Sequence, residues 1–188
     1  NNDINTSGLM KLCNRFEKST SIFSLNVSGN NFSSQQDKIL SLEKFIATNK
    51  TCTSLNMSKC KLENPCLAFI GNGFLKNTTL CKLNLSENYF TKKGINLLCR
   101  GIQKNVCKLK ELDLSSCRLD TEAIEPIIKL IQSGYKLRNL NLKSNFIKDP
   151  VAVEFIGALT ANTNMTKLNL EMNAIKLKFT KEIDAVIK

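Results

Sequence analysis

The stretch Leu109-Lys110-Glu111-Leu112-Asp113-Leu114-Ser115-Ser116-Cys117-Arg118-Leu119 decides the fold. Written as L-x-x-L-x-L-x-x-[N/C]-x-L, with aliphatic residues or Phe allowed at L, it recurs along the chain. Copies start at Ile22, Cys52, Leu80, Leu109, Leu137 and Met165. Their central leucines are Leu25, Leu55, Leu83, Leu112, Leu140 and Leu168, separated by steps of 30, 28, 29, 28 and 28 residues. A fixed period of this size marks a solenoid, in which each unit contacts only its neighbours.

Outward from the motif, the spacing turns helical. Counted from the last L, apolar residues recur at the fifth, eighth and twelfth positions: Leu67, Ile70, Phe74; Ile95, Leu98, Ile102; Ile124, Ile127, Ile131; Ala152, Phe155, Leu159. That spacing lays a stripe along one face of a helix. The first repeat has two extra residues, and Ile39, Leu42 and Ile46 fall into place once the loop Ser33-Ser34-Gln35-Gln36 absorbs them. Pro65 and Pro150 stand where helices should begin, positions that need no backbone donor.

Before the first motif, Leu9, Leu12 and Phe16 take the inward helix positions, Gly8 the place of Gly94, and Asn2 the [N/C] place. The chain is expected to start inside a repeat, with a further strand upstream, and to end on a helix carrying Ile183 and Ile187. Six strands and seven helices are expected. The organisation reads as a partial repeat or capping helix at 1–18, the repeat array at 19–176 and a capping helix at 177–188.

In L-x-L both leucines point into the core and the x residues point out. Neighbouring repeats stack their strands in parallel under a layer of helices. The [N/C] column runs Asn30, Cys60, Asn88, Cys117, Asn145, Asn173. Asn there can satisfy turn groups through both its donor and its acceptor, and its loss should cost about 1–3 kcal/mol.

The Asn/Cys alternation, the step of 28 or 29 residues and a full helix after each strand resemble the ribonuclease-inhibitor-like class of leucine-rich repeats. The resemblance covers the chain from Asn2 to Ile187. It implies an α/β leucine-rich repeat solenoid, a curved horseshoe with parallel strands on the concave face and helices on the convex face. It also implies an intracellular, non-enzymatic module that holds a protein against the concave sheet and adjoining loops, with masking or inhibition of an enzyme among its expected roles. Small free-standing arrays of this class also resemble leucine-rich repeat effectors that intracellular bacteria deliver into the host cytosol. The alternative is a fragment of a larger regulator, such as a small-GTPase regulator or an innate-immune sensor.

Net charge is +11, carried mostly by Lys. The lysines lack the arginine and aromatic interleaving that base recognition uses, so nucleic acid is not the expected partner. A basic chain suits an acidic or neutral protein rather than a basic ribonuclease. The eight cysteines include Cys13, Cys52, Cys60, Cys99 and Cys117 at burial positions of the register, which argues for free thiols in a reducing compartment. Sequons at Asn5, Asn26, Asn31, Asn49, Asn56, Asn77, Asn84 and Asn164 would crowd one sheet face with glycans, so they are read as chance. There is no membrane span.

Without His, neither Ser-His-Asp nor Cys-His nucleophiles can be assembled from this chain. With no C-x-x-C and no His, a zinc site is not expected. Gly71-Asn72-Gly73 lacks the G-K-[S/T] ending of a phosphate loop. No cofactor and no small-molecule substrate are expected. Glu111 and Asp113 share one strand face, but solvated carboxylates explain them without catalysis.

The outward columns hold mostly Asn and Ser. The first is Asn26, Asn56, Asn84, Asp113, Asn141, Asn169, and the next Ser28, Ser58, Ser86, Ser115, Lys143, Glu171. Departures toward the later repeats suggest a protein-binding face formed by Tyr89, Glu111, Asp113, Arg118, Asn141, Lys143, Phe146, Glu171 and Met172. Aromatic and Arg side chains are common binding anchors. Tyr89 and Phe146 could instead cover the neighbouring edge of the core.

Overall fold

A computed structural model describes residues 3–34, 39–104 and 108–187. Asn2, Gln35 and Gln36, which the sequence reading also used, and Cys107, one of the eight cysteines, lie outside them. Helices and strands alternate: α1 (Thr6–Phe16), β1 (Ser24–Asn26), α2 (Leu40–Thr48), β2 (Ser54–Asn56), α3 (Asn64–Phe74), β3 (Lys82–Asn84), α4 (Lys92–Ile102), β4 (Glu111–Asp113), α5 (Thr121–Gln132), β5 (Asn139–Asn141), α6 (Asp149–Ala161), β6 (Lys167–Asn169) and α7 (Leu177–Val186). The six strands form one parallel sheet in chain order, with the six central leucines in register. This is the leucine-rich repeat solenoid, with each helix packed on the next.

The core lies between sheet and helices. Both leucine positions of every motif are buried, and so is the helical stripe from Leu67 to Leu159. Pro65 and Pro150 open α3 and α6 as expected, while Pro126 stands buried inside α5. Ile39 is buried but caps α2 rather than joining it, because the helix begins at Leu40. In α1, Leu9 and Cys13 are fully buried, whereas Leu12 and Phe16 are half-buried; the helix packed on α1 among the described residues is α2.

The [N/C] residues clamp consecutive repeats. Asn88 Nδ2 donates to the carbonyls of Met57 and Leu85 at 2.9 and 2.8 Å, and its Oδ1 accepts from the amides of Cys60 and Leu62. Asn145 does the same for Leu114, Leu142, Cys117 and Leu119. In a Cys repeat the sulfur donates weakly, Cys60 to Val27 and Cys117 to Leu85, both at 3.2 Å. It leaves the preceding amides without that acceptor. The amides of Phe32 and Phe90 turn to the backbone carbonyls of Cys60 and Cys117 instead.

Backbone angles follow the same alternation. Every repeat is left-handed one residue before the [N/C] position, at Gly29, Lys59, Glu87, Ser116, Ser144 and Met172. The two Cys repeats are also left-handed one residue after it, at Lys61 (φ 53°) and Arg118 (φ 58°).

A second asparagine set carries weight that the sequence reading missed. Asn49, Asn77 and Asn162 are buried at the ends of helices, bonding the carbonyls of Phe16 and Ser19, of Ile46, and of Ile131 and Tyr135. Asn49 and Asn77 are sequon asparagines, and with their amides committed inside the fold they cannot carry a glycan there.

Candidate binding face and strand-exit edge

The first outward column is a set of turns. In each repeat the Asn or Asp between the paired leucines accepts, through Oδ1, the amide two residues on: Asn26 from Ser28, Asn56 from Ser58, Asn84 from Ser86, Asp113 from Ser115, Asn141 from Lys143 and Asn169 from Glu171. These residues end the strand, as Asx side chains do. Ser58 and Ser86, read as outward, are buried.

The expected site residues separate into two groups. On the concave face, Asp113 Oδ1 also accepts the Ser115 hydroxyl at 2.7 Å, and its Oδ2 takes Asn141 Nδ2 at 3.0 Å. Glu111 pairs with Lys82 at 3.0 Å, and Lys143 with Glu171 at 2.7 Å. The hydrogen bond and charge of Lys143 hold the Glu171 carboxyl below the ordinary range. The carboxylates thus already have partners. A shallow hollow of about 370 Å³ lies over the sheet, floored by Leu55, Leu83, Leu112 and Leu140 and lined also by Lys82, Glu111, Asp113, Asn141 and Lys167. Lys82 and Lys167 belong to this hollow and were not singled out from sequence.

The second group stands on the strand-exit edge, where β-strands turn toward helices. Tyr89 is 50% exposed, Phe146 62% and Met172 72%, so neither aromatic covers the core edge. The Arg118 guanidinium lies 5.8 Å from the centre of the Tyr89 ring, a cation–π distance. Ser144 and Met172 are in contact at 3.4 Å. Backbone bridges fix the spacing: the amides of Tyr89, Phe146 and Ala174 donate to the carbonyls of Leu62, Leu119 and Ile147. The structure therefore brings Tyr89 and Arg118 together and holds Phe146 and Met172 along the same rim.

The chemistry available is that of contact. Among the described residues no group of three or more Cys, Asp or Glu could hold a metal, and no helix is long and apolar enough to cross a membrane. Seven cysteines are free among the described residues, six of them buried. Burial pushes the thiols of Cys13, Cys66, Cys99 and Cys117 up to about 12, the opposite of an activated nucleophile.

Comparison with known proteins agrees with this repeat. A family model described as Leucine Rich repeat matches residues 107–127 and 161–178. Ribonuclease inhibitor of Sus scrofa is 26% identical over 157 residues, covering 84% of this chain and 34% of that protein. NACHT, LRR and PYD domains-containing protein 9B of Mus musculus is 34% identical over 125 residues, covering 63% of this chain and 12% of that protein. The chain therefore spans about a third of the one relative and about an eighth of the other. Among solved structures, leiomodin-1 actin-binding site 2 aligns at TM-score 0.58 and 17% identity over 94% of this chain and 86% of that one, a likeness of fold alone.

Proposed function

The chain is a leucine-rich repeat solenoid of the ribonuclease-inhibitor-like class, and on that premise we propose that it is a non-enzymatic module that grips, and so masks, a protein partner. The contact runs along the strand-exit edge and the adjoining concave face. The observation that carries this reading is the exposed rim of Tyr89, Arg118, Phe146 and Met172 on a rigid turn framework. Large amphipathic anchors on stiff backbone bind with little ordering cost. The polar concave face supplies a satisfied, specificity-setting surround. Glu111 and Glu171 are matched by Lys82 and Lys143, Asp113 is held by Ser115 and Asn141, and the chain is basic overall, so the partner is neutral or acidic at its contact patch. Free, buried thiols support residence in a reducing compartment.

The likeness to a ribonuclease inhibitor supports masking of an enzyme as the mode of action. A second reading makes this array the binding segment of a larger multidomain regulator; the observation behind it is that the chain matches about an eighth of a NACHT, LRR and PYD domains-containing protein. The two relatives compared are mammalian, which lends the bacterial-effector expectation no support.

The test is affinity capture with the tagged chain beside a Tyr89→Ala/Arg118→Ala/Phe146→Ala variant, followed by mass spectrometry. The expected result is a protein retained by the native chain and lost by the variant, with far-UV circular dichroism unchanged. A partner held equally by both would place the site elsewhere.

A further inference from the structure

The two edges of the solenoid differ in charge. The six helix-to-strand connections, the strand-entry edge, contain eight basic residues and one acidic residue, Glu17. The six strand-to-helix connections contain seven basic and five acidic residues. The entry edge thus supplies seven of the eleven net positive charges.

All eight basic residues are described and exposed: Lys18, Lys50, Lys76, Lys104, Lys108, Lys110, Lys136 and Arg138. None of them meets a carboxylate at ion-pair distance among the described residues, whereas Lys59, Lys82, Lys143 and Lys176 elsewhere do. Helix C-termini carry partial negative charge, which accounts for one cation after each of the first five helices, Lys18, Lys50, Lys76, Lys104 and Lys136. It does not account for Lys108, Lys110 and Arg138, which stand at the sheet end of their connections. There the amide of Arg138 bonds the Lys110 carbonyl, setting the two cations on adjacent repeats.

Two further features lie on the same edge. Phe23, just before β1, is 63% exposed, and Leu75, just after α3, is 43% exposed. A depression of about 510 Å³ opens between Lys108, Lys110, Tyr135 and Lys136, with no carboxylate in its lining.

We infer that the strand-entry edge docks on an anionic phospholipid bilayer, Phe23 and Leu75 entering the interface and the lysine row facing the headgroups. Clustered lysine attracts an anionic leaflet without fixed geometry, and flanking apolar side chains add depth of contact. Base readout would call for arginine forks or a stacking row, and this edge has one arginine. A bilayer here leaves the strand-exit rim free, so both contacts can form at once. The inference is independent of the protein-masking reading.

The test is co-sedimentation of the full chain with vesicles of phosphatidylcholine alone or with phosphatidylserine at about 7:3. Binding to the anionic vesicles alone is expected at about 0.1 M salt, and release at about 0.5 M. K108E/K110E/K136E/R138E should weaken it at least about tenfold with an unchanged melting curve. If that variant unfolds, K108E/K136E gives the same reading at smaller size. Phe23→Ala/Leu75→Ala should weaken binding while keeping its salt dependence. No binding to the anionic vesicles, binding unaffected by charge reversal, or tighter binding to an RNA or DNA duplex than to vesicles would overturn the inference.

Discussion

Asn88 holds the backbone of the repeat before its own: its Oδ1 accepts the Leu62 amide at 2.9 Å. The same oxygen takes the Cys60 amide, and Nδ2 reaches the carbonyls of Met57 in that repeat and Leu85 in its own, so one side chain satisfies buried groups in two repeats. Asn88→Ala should therefore cost about 3 kcal/mol or more, since each stranded buried group costs about 1–3 kcal/mol. Asn173 is half-exposed, and its amide contacts include a carbonyl on an exposed turn. Asn173→Ala should cost clearly less. Urea denaturation of both variants measures the difference, and equal losses would refute the inter-repeat role.

Gly101 and Gly71 set the approach of α3 to α4. A Cβ on Gly101 would stand 2.0 Å from the Gly71 carbonyl oxygen, and one on Gly71 would stand 2.5 Å from that of Leu97. Backbone cannot yield as a side chain does. Gly101→Ala should destabilise by about 1–3 kcal/mol or more. Gly157, inside α6, has nothing within 4 Å of its would-be Cβ. Gly157→Ala should stabilise by about 0.5–1 kcal/mol through helix propensity. Thermal melts of the two variants should move in opposite directions.

The fold was legible because a solenoid repeats its evidence. Each leucine position was read six times, so Leu25 and Leu168 could be placed from Leu112. The ends were less legible: Leu12 and Phe16 match the inward register but are half-buried, and the helix packed on α1 among the described residues is α2. The turns were hidden for another reason. Left-handed backbone usually announces itself as Gly, yet of the six positions before the [N/C] residue only Gly29 does so, and Lys59, Glu87, Ser116, Ser144 and Met172 adopt it as well. The outward column misled in the same way. Asp113 and Asn141 look like surface chemistry in a sequence, whereas their Oδ1 atoms end strands. The exposed rim of Tyr89, Arg118, Phe146 and Met172 was legible because large residues break a column of small polar ones.

Burial holds the thiols of Cys13, Cys66, Cys99 and Cys117 near 12, above the ordinary thiol value. The native state therefore favours the neutral thiol. Its stabilising contribution is complete below the ordinary thiol value and is lost as pH rises toward about 12. At about pH 10 the unfolded chain in urea should show strong thiolate absorbance and the native chain little. Among the described cysteines only Cys81 is half-exposed, so of these seven it should react first with a thiol reagent in the native protein. Rapid native labelling of Cys66 or Cys99 would show that the interior opens readily.

The strand-exit rim yields a ranking among the candidate binding residues. Glu111, Asp113, Asn141, Lys143 and Glu171 already have partners within this chain. A ligand must compete with those contacts, and exposed ion pairs return little when broken. Tyr89, Phe146 and Met172 gain the most by being covered, because each now leaves half or more of its surface in water. Burying the surface each still exposes is worth about 1–2 kcal/mol, or roughly fivefold to thirtyfold in affinity. Arg118 sits over Tyr89 and should share its fate, so the pair should couple in a double-mutant cycle. The expected order of loss in partner binding is Phe146→Ala and Tyr89→Ala largest, then Met172→Ala and Arg118→Ala, with Glu111→Gln and Asp113→Asn small. Titration calorimetry against the captured partner gives the order. Losses concentrated at Glu111 and Asp113 instead would move the contact from the rim into the concave hollow.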